Sequence, residues 1–518
     1  MHKVVDIKVA PEYKEDKLFI KKVLSKKSRI PFNEIKDFQL VKRSIDARGS
    51  QPIYALRYIV STSALDDYKK APIQIEIGSL ERNAKRVIIV GAGPAGYFAA
   101  LECLRNGLKP IILERGKDVQ ARRRDLRAIQ QDGVVNADSN YCFGEGGAGT
   151  YSDGKLYTRS HKRGSIEGVL QTLVSHGAKE DILVDAHPHI GSNNLPKIVQ
   201  NIRNTIESKG GEVHFGTKVI DFIIKDNVIK GVVSDQDEYL GDAVILATGH
   251  SARDIFSLCD HYQLGLQFKP YAIGVRIEHP QSIIDSIQYN RKSRGEHLPA
   301  ASYRLACQFG SVGVFSFCMC PGGLIVPAAT APGEIVVNGM SLSRRDSPFA
   351  NAGTVITIDE NNIPNFKNKF SGLEFQQALE QQFFKNGDGS QKAPAQKITD
   401  FVQGRLSSTL NESSYIPGVY AADFKELLPS FIYDSLAFAV KAFDKKMRGY
   451  FTEEAQVIGL ESRTSSPLKL PRKRETYMHE KISGLYPCGE GAGYAGGILS
   501  AAMDGQNVAK AISVAIKK

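Results

Sequence analysis

The sequence predicts an α/β fold: a Rossmann-like nucleotide domain on a parallel sheet, interrupted by an inserted, mainly β domain and preceded by a small α+β module. Three observations predict it. RVIIVGAGPAGYFAALECLRNGLKPIILERG, Arg86 to Gly116, reads as strand, glycine turn, helix and strand. Two later segments, DAVILATGHSARD (Asp242 to Asp254) and GLYPCGEGAGYAGG (Gly484 to Gly497), each run a short apolar strand into glycine. Between them, from Phe268 to Pro429, the chain changes to strand-like runs such as VGVFSFCMCPGGLIVPAA (Val312 to Ala329).

The first segment has a chemical reason for each part. Val87 to Val90 are a β-branched run of the kind buried on both faces of a parallel sheet. Gly91 permits the tight turn, Gly93 lets a pyrophosphate approach the backbone, and Gly96 lets the helix pack on the strand. Pro94 and Ala95 open the helix, whose free N–H groups face the phosphates. The helix should run to about Asn106, with Gly107 as its stop and Lys109 to Leu113 as the next strand. Glu114 follows, 23 positions after Gly91, where a carboxylate accepts from ribose hydroxyls. Arg115 stands beside it.

At 518 residues the chain is long enough for two or three domains, and 42% hydrophobic with 24% charged residues is ordinary globular composition. Seven cysteines, an odd number spread over a long chain with no CxxC pair, suggest reduced thiols and a cytoplasmic setting. No apolar run reaches membrane-spanning length, and the N-terminus lacks a signal-peptide core. The net charge is +11; residues 1 to 82 hold 17 Lys and Arg against 11 Asp and Glu. Such a basic module attracts polyanions or is a solvated surface, and its KKVLSKKSR stretch lacks the aromatics of a base-stacking platform.

Within that module, strands near Val4 to Val9, Phe38 to Ser44 and Ile53 to Ser61 and a helix near Asp16 to Lys26 suggest a ferredoxin-like order. After the nucleotide unit comes a basic helix, Val119 to Gln131, and then the loop YCFGEGGAGTYSDGKLYT, Tyr141 to Thr158. No strand precedes this second GxGxxG spacing, so it is read as a loop that lays its backbone against a flat ligand. A strand near Ile182 to Asp185, a helix over Asn194 to Ser208 and strands over Val213 to Asp235 follow, the last turning at Asp226-Asn227. A polar insert spans Tyr289 to His297, with helices near Glu374 to Lys385 and Phe431 to Tyr450. The domain division read from this is 1–82 for the N-terminal module, 83–267 with 455–518 for the nucleotide domain, and 268–454 for the insertion.

A strand ending in Ala247-Thr248-Gly249 passes under a bound FAD, and the acidic residue of Gly489-Glu490-Gly491 can bond its ribityl chain. Helix N-termini at such a turn stabilise the charge that a reduced flavin develops. The cofactor contacts read from the sequence are Gly91, Gly93, Pro94, Ala95, Gly96, Glu114 and Arg115; Gly146, Gly147, Gly149, Asp153, Gly154 and Lys155 of the loop; and Val219, Ala247, Thr248, Gly249, Gly489, Glu490, Gly497 and Ile498. Because a flavin carries the hydride chemistry, the protein must place a substrate and supply charge or a proton. His250 is a candidate general acid or a structural histidine. Arg276 and His279 are read as an anion site or a strand-end ion pair, and Arg463 as a substrate or flavin contact. Cys318 and Cys320 share a strand face, as a redox dithiol or as small side chains lining a pocket.

With these motifs in place the chain resembles the glutathione-reductase-like superfamily of two-dinucleotide-binding flavoproteins, and within it the bacterial NAD(FAD)-utilising dehydrogenases. The blocks that carry the narrower resemblance include SIDAR (Ser44 to Arg48), FGEGGAGTYSDGKL (Phe143 to Leu156), PHIG (Pro188 to Gly191), AIGVRIEHPQ (Ala272 to Gln281), FSFCMCPGG (Phe315 to Gly323), APAQ (Ala393 to Gln396) and ESRTSSP (Glu461 to Pro467). The resemblance implies tightly bound FAD and an N-terminal module but supplies no substrate; the expected activity is an FAD-dependent oxidoreductase acting on a small molecule, reduced either by NAD(P)H bound transiently on the flavin face or by another donor. The second strand-GxGxxG-helix unit of such reductases is missing, as is a CxxxxC pair. The alternatives are a flavoprotein that binds RNA through the basic module and a non-catalytic scaffold. No metal, and no membrane partner, is expected.

Overall fold

The computed structural model describes residues 2–65, 77–157 and 164–516. The final residue of the loop read to Thr158 therefore lies outside the described residues.

The nucleotide domain is built on five parallel strands in the order Leu485–Pro487, Ala243–Leu246, Arg86–Val90, Lys109–Glu114 and Glu212–Phe215. Burial on both faces explains the apolar runs 87–90, 111–113 and 243–246 of the three central strands, whereas the half-buried edge strand carries Glu212 and His214. Val87, Ile89, Ile112 and Ile245 face a helical layer that includes Phe98 and Leu101 of the Pro94–Arg105 helix. Ile88, Val90, Ile111 and Val244 face the other way, onto Phe222, Ile229 and Val232 of an antiparallel three-stranded meander. That meander turns at Asp226 and Asn227, both at positive φ as a tight hairpin requires. The C-terminal helix, Ile498–Ile516, closes the helical layer against Pro94–Arg105, so tightly that a Cβ on Gly505 would lie 2.1 Å from the Ala95 carbonyl oxygen.

The insertion is a seven-stranded mixed sheet. Its central strands Val312–Cys320, Phe349–Ile358, Tyr271–Pro280 and Gln456–Glu461 are antiparallel neighbours. The helix Ser430–Lys446 packs on it through Ile432, Leu436, Ala439 and Phe443.

The N-terminal module places one helix, Lys17–Ser28, on a three-stranded antiparallel sheet, His2–Val9, Ile53–Ser61 and Asp37–Asp46 in spatial order. Its Val5, Ile7, Leu24 and Leu56 belong to one continuous core with Ile284, Tyr289 and Leu298 of the insertion. The predicted polar insert takes part in this docking: the His297 carbonyl accepts from Tyr54 Oη at 3.2 Å, and Arg291 reaches Gln51. Arg43 bonds Asp185 at 2.7 Å.

One predicted element is corrected. Ile182 to Asp185 is not a strand: Glu180–Leu183 is a single 3-10 turn, and the chain meets strand Asp37–Asp46 only at the bridge between Arg43 and Asp185. Its apolar residues serve packing rather than a ladder, since Ile182 is buried against the helical layer. Among the described residues no helix is long and apolar enough to cross a membrane.

Candidate functional site

A cavity of about 410 Å³ opens at the carboxyl ends of the parallel strands, where ligands of open α/β sheets bind. Gly91 (φ 107°) makes its turn: a Cβ there would lie 2.5 Å from the Ala247 carbonyl oxygen, and one on Gly96 2.0 Å from that of Gly91. Gly96 therefore sets helix–strand packing and does not line the cavity. A Cβ on Gly93 would meet nothing within 4 Å, because Gly93 faces the open cavity. Pro94 and Ala95 continue that wall.

Glu114, the last residue of its strand and 5% exposed, accepts from Ala92 N at 2.8 Å through one oxygen and from Gly116 N and Gly144 N, both at 2.9 Å, through the other. It thus pins two glycine loops together while lining the cavity, and Oε2 keeps a lone pair for a ribose hydroxyl. Arg115 lines the same region but spends its charge on Asp254 at 2.6 Å and on the Phe143 ring at 4.5 Å.

The second glycine loop is held by residues that the sequence reading passed over. Arg122, fully buried, donates to the carbonyls of Asn140 (2.8 Å), Glu145 (2.8 Å) and Gly147 (3.0 Å). The buried Glu145 carboxylate accepts from Tyr97 Oη, Val119 N and Arg203 Nε. Their signal was a charged residue at a position of helical periodicity that faces the core; Arg122 sits three residues after Val119 and four before Leu126. Gly147, Gly149 and Gly154 line the cavity, whereas Gly146 packs on Val199 and Thr150.

Asp153 and Lys155 leave this loop toward the insertion. Asp153 takes Ser341 Oγ and the Arg345 guanidinium (2.6 Å), so its charge is spent on joining the two domains. Lys155 Nζ donates to the Met319 carbonyl and stands 4.0 Å from each of the Cys318 and Cys320 sulfurs. Burial works against its charge, but the two sulfurs and Asp153 outweigh it and raise its pKa.

The remaining walls come from Thr217 and Val219, from Ala247, Thr248, Gly249 and His250, from Phe317, Cys318 and Asn338, and from Arg463, Glu490, Gly497 and Ile498. Gly489 (φ 75°) lies behind the wall and forms the turn; its N–H donates to Asp504, which a paired Arg472 holds from the other side. Burial raises Glu490 to about 7 although Lys269 opposes it, so this carboxyl titrates near neutrality.

Three residues read as candidate substrate or flavin contacts, Arg276, His279 and Arg463, are bound to partners within the protein. Arg276 is fully buried inside strand Tyr271–Pro280, bonded to Glu461 (2.7 Å) and Asn351 (2.6 Å), and it does not reach the cavity. His279, also fully buried, bonds the Tyr450 carbonyl and is structural. The period-two pattern could not reveal this, because both faces of the strand are covered. Arg463 does line the cavity, but its guanidinium bonds Glu380 (3.0 and 2.8 Å), Glu334 (2.9 Å) and Thr330. Arg253 meets the same two carboxylates, forming a neutral four-charge cluster between the domains. His250 remains at the cavity with Ser251 Oγ 2.9 Å from Nδ1. Burial, with Arg463 nearby, lowers it to about 4, so it is neutral at pH 7 and serves as a hydrogen-bonding group rather than as an imidazolium acid. Among the described residues no cluster is placed to hold a metal.

Three family models match segments of the chain. The family described as FAD binding domain matches residues 86–122, one described as FAD-dependent protein, C-terminal domain-like, matches 270–464, and a domain of unknown function matches 1–61. A protein of Clostridium beijerinckii described as uncharacterized is 39% identical over 515 residues, covering 96% of each chain. The present chain belongs to its family. A probable fumarate reductase of Shewanella frigidimarina is 27% identical over 209 residues, 36% of this chain and 35% of that one. The FAD complex of glycerol-3-phosphate dehydrogenase from Bacillus halodurans aligns at 11% identity over 85% of this chain and 66% of that one, with a TM-score of 0.36. The chain's cofactor is FAD, and the donor set fits it: an open Gly93 at a helix N-terminus for the pyrophosphate, Glu114 with a free lone pair for a ribose, and glycine backbones without Cβ obstruction at Gly249, Gly496 and Gly497. The matching family models describe an FAD-binding, FAD-dependent protein.

Proposed function

We propose that the protein exchanges a hydride between a donor, NAD(P)H being the first to test, and a small-molecule substrate, as a member of the bacterial dehydrogenases within the glutathione-reductase-like flavoproteins. Bound FAD supplies reversible two-electron chemistry. One observation carries the reading: the cavity that begins at the nucleotide strands is completed by Phe317, Cys318 and Asn338 of the insertion, so a substrate between the domains meets a cofactor held by the sheet.

The chain's own residues then do four things. Gly91, Gly93, Pro94 and Ala95 receive the pyrophosphate, and Glu114 a ribose. Lys155 sets positive charge beside the substrate space, and His250 donates or accepts one hydrogen bond as a neutral ring. The Arg253–Arg463–Glu334–Glu380 cluster holds the two domains in register. Among the described residues the five-stranded sheet is the one all-parallel sheet, which leaves NAD(P)H to reach the same cavity rather than a second nucleotide fold. The domain division 1–82, 83–267 with 455–518, and 268–454 is part of this proposal, except that strand Gln456–Glu461 pairs into the insertion's sheet.

Anaerobic titration of the purified yellow protein with NADH and then NADPH, followed by flavin absorbance, tests it. Bleaching by either establishes nicotinamide as donor. Bleaching by dithionite alone rules nicotinamide out and moves the search to other hydride donors.

A further inference from the structure

We infer that Cys318 and Cys320 form a second two-electron centre, a dithiol that closes to a disulfide and exchanges its electrons with the flavin. The inference rests on the FAD reading above and adds to it a site within this chain.

Residues two apart on a regular strand point to one face but stand about 6.6 Å apart along it, at the long end of the Cα separation a disulfide spans. This strand is not regular at the pair. Phe317 pairs with Gly353 and Cys320 with Asn351, so three steps along one strand face two along the other: a β-bulge. The extra residue falls on Cys318, whose φ of 44° is unusual for a side chain other than glycine. The bulge breaks the strand's regular spacing at the pair, and the Cys320 thiol donates to the Cys318 carbonyl at 3.3 Å. Backbone strain of this kind gathers at functional sites, and here it lies where Cys318 lines the flavin cavity while Cys320 is buried behind it.

The charges around the pair suit a thiolate. Lys155 Nζ is 4.0 Å from both sulfurs, and Arg276 Nη1 reaches the Cys318 carbonyl at 3.4 Å. Asp153 also faces the pair, but its carboxylate is neutralised by Arg345, and Glu461 is paired with Arg276. The Cys320 hydrogen bond, then Lys155 and Arg276, hold the Cys318 thiol well below its ordinary range against burial, while Cys320 is pushed up and keeps its proton. One member is therefore the nucleophilic form and the other the thiol. The step balances: the Cys318 thiolate and the Cys320 thiol give up two electrons, the Cys320 S–H bond breaks, one S–S bond forms, and the proton with both electrons passes to oxidised FAD, leaving its singly charged reduced anion.

The readout is thiol mass spectrometry and does not depend on turnover. Holoprotein equilibrated with oxidised glutathione is denatured in alkylating reagent, and the peptide carrying residues 318–320 should be unalkylated; after anaerobic dithionite it should carry two alkyl groups. In parallel, full reduction of the wild type should take about twice the dithionite per flavin that Cys318→Ser or Cys320→Ser takes. Lys155→Met should slow alkylation of Cys318 at pH 7 by about tenfold, an effect a packing role would not produce. Two alkylated cysteines in the oxidised holoprotein, with wild type and serine variants consuming equal dithionite, overturn the inference and leave the flavoprotein reading standing. A protein that retains no flavin fails that reading instead, and the thiol masses then decide the disulfide on the apoprotein.

Discussion

The Glu380 carboxylate accepts from the Arg463 guanidinium at 3.0 and 2.8 Å, and one of its oxygens also takes Arg253 at 2.6 Å. Burial would raise Glu380, but Arg463 and Arg253 bring it down to about 2. One carboxylate thus bridges two cations that come from different parts of the chain, and Glu334 supplies the second negative charge. Glu380→Ala leaves both arginines to Glu334 alone, and removing one partner of a buried ionic group costs about 3–5 kcal/mol. A lowered denaturant midpoint with unchanged m-value is the expected result, with Glu380→Gln between the two.

Glu114→Gln replaces one acceptor oxygen by an NH2 group that must face a backbone N–H, since all three of its partners are donors. Leaving such a group unpaired costs about 1–3 kcal/mol. Because the lost contacts join the Gly91 turn to the Gly144 loop, the flavin-to-protein absorbance ratio after gel filtration should fall together with the thermal midpoint.

Gly93 and Gly96 separate cofactor binding from folding. The Gly93 backbone (φ −77°) suits any residue, and a Cβ there enters open cavity, so Gly93→Ala should leave apoprotein stability within about 0.5 kcal/mol yet weaken FAD binding at least tenfold. Gly96→Ala places its methyl 2.0 Å from the Gly91 carbonyl oxygen, which forces helix and strand apart, and it should destabilise the apoprotein by about 1–3 kcal/mol. Denaturant unfolding of the apoproteins and flavin titration of each variant check the contrast.

Burial raises Glu490 from its ordinary 4.5 to about 7. Between those pH values the unfolded chain has lost the proton that the native state keeps, so this group's contribution to stability falls as pH rises from about 4.5 to 7 and then levels. The full span is of order 3 kcal/mol. His250 and His279, both lowered to about 4 by burial, act in the opposite sense as pH falls below 6.5. The difference between wild-type and Glu490→Gln apoprotein isolates the carboxyl: the variant should be relatively more stable at pH 8 than at pH 5. Equal differences at the two pH values would show that the carboxyl does not titrate there.

The nucleotide unit was legible in the sequence because every constraint on it is local. A strand buried on both faces must be apolar, the turn at Gly91 needs a positive φ, and Gly96 needs the absence of a Cβ, all within a few residues of one another. The same locality explains why the Val119–Gln131 helix and the Asp226-Asn227 turn could be read directly.

What the tertiary structure decided was the use of each charge. Arg276, Arg463 and Asp153 are charged residues whose local sequence names no partner, and their partners lie far along the chain: Glu461, Glu380 and Arg345. A buried ion is tolerable only when paired, and the pairing is made by packing the insertion against the nucleotide domain, which no local pattern encodes. Cys318 and Cys320 are the same case. Their spacing placed them on one strand face, but the bulge opposite Gly353 and Asn351 exists only in the insertion's assembled sheet, and Lys155 reaches the pair only once the two domains have met.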